Sequence, residues 1–475
     1  MIRIYQNSGL LYLNGNPFKP SDIAIEFVTN GRNAIVRNAY NRTDILIDPT
    51  EITKIFKEDG ITAYTSMAEM ISELPLVFEN AIKVVSNSGE SVVTNSNFSY
   101  NASGGQRVSQ MTTMLDGKVL GEDDVELFEN VGTGTATYAN NKVNLSVGSG
   151  EYMIRQSKRS APYFSGKPQF VEFTCDNFQG ELDVYKRIGY FSSNAVSPYN
   201  STLDGIYLED VGSVKSLVCE RAGTETVRIP FTAMDNYDKI SSYNWENFTV
   251  CAIDFIWLGG AVLRFFVKTQ TGFELIHTEN YAGTQKDVFI LSPNQPIRYE
   301  VRSVGGTGSL RYICCNIATE GSINESGKTL ALYNPTGVTT NTVGTIYALK
   351  GVKKQVAFRD VAIQIIEISA TSTATNDAGL LLMIKNPTLS APLSYSNNKK
   401  VQEADGTGQT ITAGSGWVVG SISKGREAGS TSTLKDNFLA FLSHEINNTM
   451  DEYVLAFMPV TNNQVQYGII TIKIF

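Results

Sequence analysis

The hydrophobic pattern is clearest in residues 251–278, CAIDFIWLGGAVLRFFVKTQTGFELIHT. Cys251, Ile253, Phe255 and Trp257 alternate with Ala252, Asp254, Ile256 and Leu258. The run stops at Gly259 and Gly260, a pair that supplies the positive φ angles of a tight hairpin turn. A second run follows at once, with Leu263, Phe265 and Val267 on one face and Val262, Arg264 and Phe266 on the other. The turn from Lys268 to Gly272 leads into Phe273, Glu274, Leu275 and Ile276. Alternation at period two predicts three consecutive antiparallel strands. Both faces are largely apolar, which places this meander inside a packed sheet covered by a second one.

The same reading extends along the chain. Runs at Ile2–Tyr5, Leu10–Leu13, Ile23–Val28, Ala34–Val36 and Ile45–Ile47 predict short strands, with Asn14-Gly15 and Asn30-Gly31 as hairpin signals. Asp48-Pro49-Thr50 predicts a helical turn through Ile52, Ile55 and Phe56. Ser66 with Glu69 forms a capping box, and Pro75 sits where that helix should stop. Residues 1–82 therefore read as a small β-rich domain with one or two short helices. Residues 83–120 shift to Ser, Asn and Gly and read as an extended connector.

Beyond it, strand-like runs recur to the end, including 135–139, 143–147, 169–174, 297–302, 310–314, 330–333, 361–366, 380–384 and 453–457. Strands separated by Gly- and Asn-containing turns predict β-sandwich or jelly-roll domains, here 121–325 and 326–475. The fold class expected is mainly β. The final run, Ile469 to Phe475, is expected in a sheet rather than as a free tail.

Composition narrows the function. The 475 residues are 42% hydrophobic, enough for roughly two to four domains. Charged residues are only 18%, which favours strands and turns, and the net charge of −8 offers no footprint for nucleic acid or an anionic membrane. The five cysteines (Cys175, Cys219, Cys251, Cys314, Cys315) include no CxxC pair and read as small buried hydrophobes of a reducing cytoplasm. The start, MIRIYQNSG, has no basic segment leading into an apolar one, and nowhere do about 18 apolar residues run together. The expectation is a chain made in the cytoplasm and kept there, or carried out within a particle.

Candidate chemistry is sparse. The two histidines, His277 and His444, are far apart, each without a metal-type ligand set nearby in sequence. Gly132-Thr133-Gly134, Gly305-Gly306-Thr307-Gly308 and Gly327-Lys328-Thr329 resemble phosphate loops but sit between strand-like runs and read as turns. Glu181 and Asp183 are placed on one face of a strand, and Asp123, Asp124 and Glu126 form a second acidic cluster. Either set offers the paired carboxylates of glycoside hydrolysis, against the plainer reading of a solvated face. Trp245, Trp257 and Trp417 are candidates for a sugar-stacking platform, with Trp257 expected in the core. The basic run from Arg155 to Arg159 reads as a strand edge or inter-subunit contact. No catalytic, cofactor-binding or metal residue is assigned, no cofactor is expected, and no binding residue is identified.

Several segments carry a family resemblance: GQRVS (105–109), GTGTATYANNKVNLSVGSGEYMIRQSKR (132–159), YFSGKPQFVEFT (163–174), KRIGYF (186–191), IDFIWLGGAVLRFFV (253–267), SPNQPIRYEV (292–301), LRYICCNIATEGS (310–322) and SATSTATNDAGLLLMIKNPTLSAP (369–392). Over residues 103–475 the chain resembles virion structural and fibre proteins of tailed bacteriophages, with the crAss-like phages as the suggested source. DGITAYTSMAEMISEL (59–74) resembles small modules that begin other phage fibre and capsid-decorating proteins. The resemblance implies a non-enzymatic virion component, a head fibre anchored to the capsid by residues 1–82 with β-sandwiches projecting outward. It implies a homotrimer, with a dimer as the alternative, and contacts to capsid or tail proteins. A tail-associated fibre or a carbohydrate-binding adhesin for host surface glycans is the second reading, and a polysaccharide depolymerase the third.

Overall fold

The computed structural model describes residues 110–193, 202–257, 262–270, 272–281, 283, 286–321, 327–372, 378–424, 431–461 and 464–475, and the strand backbone at 4–7, 10–13, 16–18, 23–27, 34–38, 44–47, 83–85 and 91–93. The chain divides into two units, residues 1–99 and 100–475. The protein is mainly β, and among the described residues the helical elements are three short 3-10 turns.

In the first unit, Ile4–Asn7, Leu10–Leu13 and Asn16–Phe18 form one antiparallel sheet; the expected turn residues Asn14 and Gly15 lie outside the described residues. Ile23–Phe27, Ala34–Asn38 and Asp44–Ile47 form a second, and Lys83–Val85 pairs with Ser91–Val93. The helical turns expected after Asp48 and Ser66 lie outside the described residues.

In the second unit, two sheets stack on one core. The seven-stranded sheet runs Phe128–Gly132, Tyr152–Ser157, Ile297–Ser303, Val184–Ser193, Leu203–Val211, Val214–Arg221, Thr224–Pro230. The six-stranded sheet runs Phe273–Asn280, Val262–Lys268, Thr249–Phe255, Gln169–Cys175, Cys314–Glu320, Met111–Lys118. The meander predicted from 251–278 is thus present, with Phe255 opposite Leu263 and Phe265 opposite His277. The residues at its first turn, Gly259 and Gly260, lie outside the described set. Cys251, Ile253 and Phe255 point inward against Ile188, Tyr190, Ile297 and Tyr299 of the facing sheet, all buried. Packing of two apolar faces, each roughly perpendicular to its backbone, is what closes this core.

A second core joins residues 332–472. Its five-stranded sheet runs Lys328–Tyr333, Gln464–Ile474, Ile363–Ser372, Thr431–Phe441, with Val338–Thr340 also on Gln464–Ile474. Its seven-stranded sheet runs Ser396–Asn398, Val401–Asp405, Ile346–Lys354, Tyr453–Pro459, Gly379–Lys385, Trp417–Lys424, with Thr410–Ile411 beside Ile346–Lys354. The C-terminal run is an inner strand, its Ile470 and Ile472 fully buried, so the expectation of a sheet-bound end holds.

Polar groups join the two cores. The main-chain N–H of His444 donates to Lys158 O, that of Ile446 donates to Glu129 Oε1, and Lys385 lies 3.6 Å from Glu126. Phe164 meets Phe475 edge-on at 5.5 Å between centroids. The basic run is not a strand edge: Arg155, Gln156 and Ser157 belong to an inner strand between Phe128–Gly132 and Ile297–Ser303. Arg155 is fully buried, so charge in sequence did not mean exposure here.

Candidate functional site

The acids offered by the sequence are committed to structural contacts. Glu181, Leu182 and Asp183 do not form a strand: Val184 N–H donates to Glu181 O, closing a turn, and Asp183 takes φ +58. Asp tolerates this left-handed conformation better than most residues, and the strand begins only at Val184. The Glu181 carboxylate accepts from Ser309 N–H at 3.1 Å and pairs with the buried Lys186 amine at 3.1 Å. Burial lowers the Lys186 pKa while Glu181 opposes that shift.

Asp123 accepts from Asn130 at 2.9 Å and pairs with Arg155 at 2.7 Å; Asp124 caps the following turn through Leu127 N–H at 2.9 Å; Glu126 faces Lys385. The Arg155 guanidinium lies between the rings of Phe128 and Tyr312, 4.6 and 4.5 Å from their centroids.

His277 has neighbours that sequence spacing did not reveal. Its Nδ1 lies 2.9 Å from Asp235 and its Nε2 3.6 Å from Glu279. Asp235 also accepts from Thr278 N–H, so the group ties its loop to the strand edge. His444 is buried, and burial together with the Lys354 and Arg359 charges pushes its pKa well below the usual imidazole value. Among the described residues, no group of three His, Cys, Asp or Glu side chains is arranged to hold a metal ion. Four of the five cysteines are buried, as expected, and Cys314 is exposed.

The tryptophans divide. Trp245 is core, packed on Phe178 and Phe231. Trp257 is half-buried and its indole N–H donates to Ile290 O at 2.9 Å, consistent with the core expectation. Trp417 is 56% exposed at the edge of the second sandwich.

A concave feature lies on the outer face of the second seven-stranded sheet. There Leu393, Ile411, Leu389 and Tyr395 fold over Ala348, Ile384, Val454 and Ala456 and make a satellite core. Beside it is a depression of about 370 Å³, lined by Lys353, Asn386, Pro387, Tyr395, Met450 and Glu452 among others. The Tyr395 hydroxyl donates to Glu452 Oε1 at 2.5 Å, and the Lys353 amine stands 4.1 Å from the Tyr395 ring centroid. Burial first, and then the Glu452 carboxylate, raise the phenol pKa and keep it protonated. Asn386, at φ +50, donates to Asp451 at 2.6 Å and accepts from Glu452 N–H at 2.7 Å. Gly351 makes room: a Cβ there would stand 2.4 Å from the Tyr395 hydroxyl. The depression brings an amine, a carboxylate and an aromatic ring together beside Pro387, Pro392, Leu393 and Met450. None of these residues stood out in the sequence, because the lining comes from segments about 100 residues apart.

No protein-family model matches the chain. No curated protein matches it either. Among solved structures, the metal-free Emp46p carbohydrate recognition domain is similar at 9% identity and TM-score 0.32, over 44% of this chain and 97% of that one. The legume lectin-like domain from Entamoeba histolytica aligns at 10% identity and TM-score 0.31, over 43% of this chain and 97% of that one. The VIP36 exoplasmic/lumenal domain in its Ca2+/Man3GlcNAc-bound form aligns at 9% and 0.29, over 42% and 86%. Values this low carry no functional weight.

Proposed function

We propose that this chain is a non-enzymatic structural component of a tailed-phage virion, a fibre-like protein anchored through residues 1–82 to the capsid. In this reading the sandwiches of residues 121–475 project outward and the chain is made in the host cytoplasm. The supporting observation is the use to which charged groups are put. The acids that sequence offered for catalysis neutralise buried cations or cap turns, and further polar groups join the two cores into one body. Such a body suits a load-carrying part, and the resemblance over residues 103–475 supports the same assignment. Mass spectrometry and antibody labelling of gradient-purified particles test it. The chain is expected at stoichiometric abundance on the capsid; its recovery only from the soluble lysate would overturn the reading.

The second reading, adhesion to host surface glycans, is favoured by the depression beside Tyr395, with its adjacent Lys353 amine and Glu452 carboxylate. Many copies on one particle would make weak single-site binding sufficient. Glycan-array binding that falls on Glu452→Gln with the melting temperature retained is the expected result; unchanged binding would exclude this depression.

A further inference from the structure

We infer that the side chains of Lys350 and Asp405 are joined by an amide bond that the folded chain forms by itself, with Glu403 carrying the protons. Lys350 lies in Ile346–Lys354, and its register partner on the neighbouring strand Val401–Asp405 is Asp405. Glu403, two residues back, is on the same face as Asp405, because successive side chains of a strand alternate. The Lys350 amine stands 2.7 Å from Asp405 Oδ1 and 2.5 Å from Glu403 Oε2, and it donates to Tyr333 O of the five-stranded sheet at 3.0 Å. Lys350 is only 3% exposed, so its amine is held at these three oxygens. Asn398 donates to Glu403 Oε1 at 2.6 Å and fixes that carboxylate with its other oxygen on the amine.

Amide formation needs an amine, a carboxyl group in contact with it and a third group to move protons, all in one place. Other buried lysines lack a part. Lys215 meets Asp210 and Lys186 meets Glu181, one acid each among the described residues. Lys385 faces Asp451 at 3.0 Å and Glu126 at 3.6 Å, but the Asp451 carboxylate is also held by Ser443 and Asn386. At Lys350 two carboxylates touch one amine, and the product has an energetic advantage. A buried ion pair keeps the cost of desolvating both charges, whereas an amide is neutral.

The step balances without any other reagent. A proton passes from the Lys350 ammonium through Glu403 to the Asp405 carboxylate, leaving a neutral amine beside a neutral acid. The amine then attacks Asp405 Cγ and forms the N–C bond. The bond from Cγ to one oxygen breaks as Glu403 moves a second proton from the nitrogen to the departing hydroxyl. One water leaves, and Glu403 ends as it began. Groups held in contact react at effective concentrations of about 10⁵ M or more, which lets an amide form against water. The bond joins residues 55 positions apart and ties Val401–Asp405, next to the end of its sheet, to Ile346–Lys354.

Mass spectrometry of the full chain, unfolded in denaturant, tests this. The expected mass is one water below that of the sequence, and a tryptic digest is expected to contain a branched peptide in which Lys350 is uncut and joined to Asp405. Asp405→Ala and Glu403→Gln, each shown to be folded by its melting curve, are expected to keep the full mass and to be cut after Lys350. Two results on the unaltered protein overturn the inference, whether or not the variants fold. One is the full mass after prolonged incubation of the folded chain. The other is a lost water with Lys350 still cut, which a cyclic imide at Asp405-Gly406 would give. Undiminished branched peptide in Glu403→Gln would overturn the part given to Glu403.

Discussion

Arg359 donates through Nη2 to the carbonyl oxygen of Ser193 at 2.5 Å, a bond that crosses from one sandwich core to the other. Its Nη1 donates to Asn448 at 2.8 Å, and its own carbonyl accepts from the buried Lys354 amine at 2.7 Å. Arg359→Ala removes the fork and leaves these acceptors without it. The expected loss is about 2–4 kcal/mol in urea unfolding, with faster proteolysis between the sandwiches. A loss under about 0.5 kcal/mol, the range of an ordinary surface substitution, would show that the join rests elsewhere.

Arg155 is the corresponding element inside the first sandwich. Arg155→Met keeps the bulk between Phe128 and Tyr312 but leaves Asp123 and Asn130 without the guanidinium. It is expected to cost about 3–5 kcal/mol, and Asp123→Asn in the same chain to recover part of that. A double-mutant cycle measures the coupling, and simple additivity would refute it.

Glu129 makes the join pH-dependent. Burial raises its carboxyl from 4.5 to about 7; the hydrogen bond from Ile446 N–H opposes this, and Glu445 adds to it. Folding therefore favours the protonated acid, a contribution complete below about pH 4.5 and lost as pH rises through about 7. Lys354, lowered by burial to about 8 from 10.5, acts in another window: stability rises between those values as the unfolded chain alone keeps the proton. Melting temperatures of the parent protein are expected to fall between pH 4.5 and 7, and those of Glu129→Gln to lack that slope. An identical slope in both would remove Glu129 from the account.

Gly117 bears on packing alone. An added Cβ would stand 2.6 Å from the Tyr312 hydroxyl, 2.7 Å from the Phe128 ring and 2.8 Å from the Cys315 sulfur. Gly117→Ala is expected to lower stability by about 1–3 kcal/mol, read by thermal melting.

Glu181→Gln separates a structural acid from a catalytic one. With Lys186 deprived of its carboxylate, stability should fall by about 1–3 kcal/mol, while assays on capsular polysaccharides show no turnover in either protein. Turnover in the parent that disappears in the variant would restore the depolymerase reading.

Much of the fold was legible in the chain itself. Alternation identified the strands Thr249–Phe255, Val262–Lys268 and Phe273–Asn280, because side chains in a strand alternate between faces and only one neighbour turn is needed to pair them. The C-terminal strand was legible for the same reason, as was the burial of most cysteines. The candidate site was not. Alternation says which residues share a face but not which strand lies beside them, and Tyr152–Ser157 finds its partner in Ile297–Ser303, more than a hundred residues later. That pairing turned an apparent basic edge into a buried Arg155; other contacts between separate segments brought Asp235 to His277 and set Tyr395 against Glu452. Composition and periodicity determined that this is a mainly β protein with packed sheets. The tertiary structure decided which charges are buried and where a depression forms beside Tyr395, because each depends on contacts between segments whose separation leaves no local signature.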